Sequence, residues 1–192
     1  MDNQAPDPYA PPRADLNESL AATGNSAPIF FVLSLPWIVV LPPLTVWSFA
    51  AYWGYRQWRA VKASGQQVNP VLRGIFLIFF IHSLFRRVQQ TRSQSGLPRG
   101  RATSGLATVY VVINILSNGI GRIGGWFGLL GMLLLSFTAS LILSTAQDDI
   151  NELAHKVGNT ANHHVGVGAH LIVVLGLAMF LYGAAAMVGA LR

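Results

Sequence analysis

Apolar residues along this chain come in long blocks separated by short polar stretches, and they do not alternate with polar residues as in a half-buried strand. The blocks cover residues 28–55, 74–85, 106–120, 126–146 and 169–191, several of them long enough to reach across a bilayer as helices. The pattern predicts an all-α, polytopic transmembrane helical bundle. About four spanning helices are expected, near 28–50, 105–121, 126–146 and 169–191, with one short re-entrant or interfacial helix at 74–88. Loops are expected at 56–73, 86–104 and 147–168.

Two blocks depart from a plain span. Pro36, Pro42 and Pro43 interrupt the first, where each proline removes a helical N–H donor, so a kinked or broken helix packed inside the bundle is expected. The block 74–85 would measure only about 18 Å as a helix, against roughly 30 Å of hydrocarbon. Arg73 lies before it and Arg86 and Arg87 after it, so both ends are expected on one side of the membrane. The blocks 106–120 and 126–146 read as a hairpin reversing through the glycine-rich run GIGRIGGWFG, with Arg122 reaching headgroups. The last block is uncharged and rich in Ala and Gly.

Composition reinforces the membrane reading. The chain is 52% hydrophobic and 10% charged, too few charges to cover a water-facing surface. The net charge of +6 would suit a nucleic-acid partner, but nine of the thirteen Lys and Arg fall between Arg56 and Arg101, beside apolar blocks. That placement fits cytoplasmic loops near anionic lipid, so no nucleic-acid partner is expected. A multi-pass protein of the plasma (inner) membrane follows. With 56–103 inside, the last helix leaves the C-terminus outside, and the N-terminal tail lies outside if the first block spans or inside if it is re-entrant. No charged region leads directly into an apolar stretch at the N-terminus, so insertion through an internal segment is expected. Residues 1–27, with four prolines and four acids, read as a disordered tail. Its DPYAPPRADL run favours polyproline-II structure, as a partner motif or a solvated leader.

The segments FFVLSL at 30–35, LTVWSFAAYWGYRQWR at 44–59 and VNPVLRGIFLIFFIHSLFRRV at 68–88 resemble an uncharacterised family of bacterial inner-membrane proteins. The likeness rests on Tyr52, Trp53, Tyr55, Trp58, Asn69, Pro70, Arg73, Phe76 and Phe80 and covers about 60 residues. The opening DPYAPP is similar to an N-P-Y-x-P-P opening common among such proteins, with Asp7 where Asn is usual. The resemblance implies location and architecture, and it brings no catalytic residues or ligand.

Several constellations are candidates for chemistry. The crowding of Trp53, Tyr55 and Trp58 before Arg59, together with Arg73, Arg86 and Arg87, reads as an interaction surface for lipid, another membrane protein or a second copy. Tyr110, Asn114, Asn118 and Arg122 recur every four residues as a polar stripe, either a cavity lining or interhelical glue. The segment 148–170 holds Asp148, Asp149, Glu152, His155, His163, His164 and His170. Glu152 and His155 share a helix face, but the rest of a di-metal pattern is missing, so neither a metal site nor a cofactor is expected. There is no cysteine, which excludes thiol chemistry. No serine has a nucleophile context, and GIGRIGG departs from the dinucleotide fingerprint. The sequence therefore favours a non-enzymatic interaction or organising protein over a small transporter or channel component. A membrane enzyme using the 148–170 loop comes third.

Overall fold

A computed structural model describes residues 30–156 and 167–189, and every element among them is helical. A buried, non-helical segment, Phe30–Leu33, leads through Ser34, whose backbone is extended, into α1, Leu35–Leu44. Pro42 and Pro43 stand in the last turn of α1, and the chain breaks directly after them. Val46 and Trp47 there take positive φ values of 44° and 73°. A β-branched residue seldom adopts that conformation. Thr45 bridges the break: its fully buried hydroxyl donates to the Leu41 carbonyl at 2.7 Å and accepts from the Phe49 N–H at 3.2 Å. The block expected to span at 28–50 is thus two helices, and at ten residues α1 is about 15 Å long, half a bilayer core.

α2, Ser48–Ala63, is amphipathic: Phe49, Ala50, Trp53, Gly54, Gln57, Trp58 and Val61 form one buried stripe. After a turn with Gly65 at φ 90°, α3 runs Pro70–Ile75, capped by the Asn69 side chain, which accepts from the N–H groups of Val71 and Leu72. Gly74 lets α3 lie directly on α2, since a Cβ there would come within 2.8 Å of the Tyr55 backbone. α4, Leu77–Gln94, follows after a break at Phe76. The short helix expected at 74–88 is therefore the end of α3 joined to a longer helix. Leu77, Ile81, Leu84, Phe85, Val88, Thr91 and Arg92 turn one face of α4 to the core.

α5, Ser104–Gly121, and α6, Gly125–Lys156, form the expected hairpin, reversed by Gly124 and Gly125 at φ 76° and 62°. α6 is 32 residues long, about 48 Å, and continues past its apolar part through Asp148, Asp149 and Glu152. The loop expected at 147–168 is accordingly helical as far as Lys156. α7, Val167–Gly189, packs against the α1–α2 break: a Cβ on Gly176 would lie 2.5 Å from the Thr45 Cβ. α5, α6 and α7 are the three helices among the described residues long and apolar enough to cross a membrane, as fits a membrane protein. Their outward side chains, such as Ile115, Phe127, Leu134 and Val174, are large and apolar.

Candidate functional site

Two polar frameworks hold the helices together on the side of the molecule where α6 passes beyond its apolar stretch. The first is built from side-chain amides. Gln57 on α2 accepts from the Phe31 N–H and donates to the Phe31 carbonyl, both at 3.0 Å. Asn151 on α6 treats Leu33 in the same way, at 3.4 and 2.8 Å. Gln147 lies between them: it donates to the Phe31 carbonyl and to Asn151, and its oxygen accepts from Trp53 Nε1 at 2.6 Å and from Gln57 at 3.3 Å. The segment Phe30–Leu33, which lies outside any helix and pairs with no strand among the described residues, thereby has the backbone groups of Phe31 and Leu33 paired by side-chain amides.

The second framework is ionic. Asp149 is 3% exposed, and its carboxylate accepts from the N–H groups of Arg101 and Ala102 at 3.1 and 2.8 Å and from Gln89 Nε2 at 3.0 Å. Arg92, equally buried, stands 3.8 Å away and donates to the Asp149 and Pro98 carbonyls. Its other contact is Glu152, at 2.8 Å. The loop between α4 and α5 is wrapped around one carboxylate, closely enough that a Cβ on Gly100 would collide with it. The adjacent Asp148 pairs with Arg101 at the exposed surface.

The residues expected to form an interaction surface divide. Trp53 and Trp58 are fully buried, which corrects their placement on a surface: they share the α2 core stripe with Phe49 and Val61. Tyr55 is half-buried, its backbone against Gly74. Arg73 covers the Trp58 ring with its guanidinium 4.3 Å from the centroid, and Phe80 lies 5.1 Å away. Arg87 donates to Gln66 at 3.0 Å. Arg59 and Arg86 are exposed. Around Arg73 the exposed surface is apolar: Val71, Leu72, Ile75, Phe76 and Phe79 form a ridge over α3 and the first turn of α4, with Ile75 64% and Phe79 74% exposed.

The polar stripe also divides. Tyr110 and Asn114 are buried, whereas Asn118 and Arg122 are exposed. Each asparagine donates to the carbonyl four residues back on its own helix, Asn114 at 2.7 Å and Asn118 at 2.8 Å. Contact across the hairpin comes from Ser117, whose hydroxyl reaches the Met132 carbonyl and the Ser136 hydroxyl, each at 3.2 Å. The Tyr110 hydroxyl and Asn114 Oδ1 have no partner among the described residues. Tyr110 also borders a void of about 10 Å³ between the α1–α2 break and α6.

Glu152 is taken up by Arg92, so it does not pair with His155, which is exposed. His163 and His164 lie outside the described residues, and among those described no three His, Asp or Glu side chains converge as metal ligands. A groove of about 390 Å³ opens between the end of α4 and the start of α5. Arg86 and Arg99 line it, with Gln90, Ser93, Thr103 and Ser104. Sequence reading missed the roles of Gln57, Gln89, Arg92, Gln147 and Asn151. The one available signal is the pair Gln147 and Asn151, four apart on one helix face beside two acids. Comparison with known proteins finds no matching family model, no matching curated protein and no matching solved structure, so the likeness to inner-membrane proteins rests on the residues quoted for it.

Proposed function

We propose that this chain is a non-enzymatic, multi-pass protein of a bacterial inner membrane that organises another membrane component. In this reading α5, α6 and α7 span the bilayer, region 56–103 faces the cytoplasm, and α3 with the start of α4 lies in the lipid interface. The observation that carries the proposal is a contrast in how side chains are used. Asp149, Arg92, Gln57 and Gln147 are consumed in holding the fold, whereas the ridge from Val71 to Phe79 is left uncovered and Arg59 on α2 and Arg86 on α4 are exposed. Leaving a large apolar side chain in water costs about 1.5–3 kcal/mol, so five together call for lipid. Seating the ridge in the interface fixes the depth of the platform, as amphipathic interfacial helices do, and leaves the basic residues available to a second component.

The test is affinity purification of the tagged chain from its native membrane in mild detergent, followed by mass spectrometry. A stoichiometric companion is expected, and its recovery falls when Ile75→Glu and Phe79→Glu are introduced together. A chain always recovered alone overturns the proposal. A second reading, a small transporter or channel component, draws on the Tyr110 hydroxyl beside the α1–α2 break and on Asn114 Oδ1, which have no partner among the described residues. Liposome flux that disappears in Asn114→Leu is its signature.

A further inference from the structure

We infer that the groove between α4 and α5 is a binding site for a phosphate-bearing ligand, held by Arg86 and Arg99. Five arginines stand in this region, Arg86, Arg87, Arg92, Arg99 and Arg101. Arg92 is committed to Asp149 and Glu152, Arg101 to Asp148, and Arg87 to Gln66. The remaining two have no ion pair among the described residues, and they are the two that line one groove. Among the described residues, no Asp or Glu lines it. Two guanidinium groups beside a concavity without a carboxylate favour an anion, and their planar donor forks match phosphate oxygens.

The other lining groups suit the same ligand. Gln90 offers an amide, and Ser93, Thr103 and Ser104 offer hydroxyl groups. At about 390 Å³ the groove falls at the small end of the range for small-molecule sites and has room for a glycerophosphate group as well as phosphate itself. Its position indicates where the ligand comes from. Thr103 and Ser104 begin α5, one of the three helices apolar enough to cross a membrane, so the groove opens at the level of lipid headgroups. The inference deepens the reading of region 56–103 as a membrane-surface platform and rests on it for this lipid source. The cationic groove itself does not depend on any companion protein.

The experiment uses the full-length purified chain, without a companion, and native mass spectrometry of lipid retained from mixed micelles of phosphatidylglycerol and phosphatidylcholine. Wild type is expected to retain phosphatidylglycerol preferentially, and the double variant Arg86→Gln, Arg99→Gln to retain it at least tenfold less. Lys62→Gln, which removes an exposed charge in the last turn of α2 outside the groove lining, leaves retention unchanged. Gln90→Glu keeps every arginine, adds a carboxylate to the groove from an exposed position, and reproduces the loss with the thermal midpoint preserved. A parallel titration with glycerol 3-phosphate separates the sources. Tight binding of it that vanishes in the double variant assigns the site to a soluble phosphate compound, and lipid retention without such binding assigns it to the headgroup. Equal loss in Lys62→Gln, or no loss in either groove variant, overturns the site. Because no companion is present, recovery of the chain alone from native membranes would refute the organising role and leave this result standing.

Discussion

Asp148 and Asp149 are adjacent carboxylates of the same charge, and the structure gives them unequal weight. Replacing Asp149 with alanine removes a buried acceptor from two backbone N–H groups and one amide, and takes away the carboxylate facing a buried guanidinium. Breaking a buried charge pair from one side costs about 3–5 kcal/mol. The lower end applies, because Arg92 keeps Glu152 at 2.8 Å and two carbonyls. Asp148→Ala removes a partner whose arginine is 73% exposed, an interaction worth under about 1 kcal/mol. For a chain of this size, about 3 kcal/mol corresponds to a fall of roughly 6–12 °C in the unfolding midpoint, against at most a few degrees for Asp148→Ala. Thermal unfolding of the purified protein in detergent, followed by tryptophan fluorescence and by circular dichroism, makes the comparison. Equal midpoints for the two variants would refute the assignment of Asp149 as the anchor of the α4–α5 loop.

Two further outcomes follow from the packing. Gly176→Leu places a side chain against the Thr45 backbone and is expected to separate α7 from α2, lowering the unfolding midpoint by several degrees. Gly183→Ala, where nothing lies within 4 Å, leaves it unchanged, and equal effects from the two would contradict the close approach. Tyr110→Phe removes a buried hydroxyl that has no partner among the described residues and is expected to stabilise the protein by about 1 kcal/mol. Destabilisation of the same size would mean that the hydroxyl is satisfied, by a water in the neighbouring 10 Å³ void.

What the sequence discloses here is mostly the long apolar blocks. They mark α5, α6 and α7, the helices among the described residues long and apolar enough to cross a membrane, and a helix in lipid must satisfy its backbone internally and cover itself with apolar side chains. Pro42 and Pro43 mark the break in the first block for an equally local reason. The aromatic cluster misleads on Trp53 and Trp58. An interfacial belt and a core stripe use the same residues, and only the register shared with Phe49, Gln57 and Val61 tells them apart. The two polar frameworks are less legible still. Gln57 meets Gln147 across 90 residues and Asn151 meets Leu33 across 118, separations at which no local pattern carries information. The groove depends on elimination: Arg86 and Arg99 stand apart from their neighbours only once the partners of Arg87, Arg92 and Arg101 are known.

The amide clamp on the segment Phe30–Leu33 also sets an order of assembly. Phe31 and Leu33 are made early, but two of the three amides that hold them, those of Gln147 and Asn151, are made more than a hundred residues later. Until α6 is in place, Gln57 can pair Phe31 but the Leu33 N–H and carbonyl lack their amide, and the closure that supplies it spans most of the chain. The Leu33 half of the clamp therefore cannot close before α6 has been made. A chain halted before Gln147 would have Phe31 held by Gln57 alone and Leu33 without its amide partner.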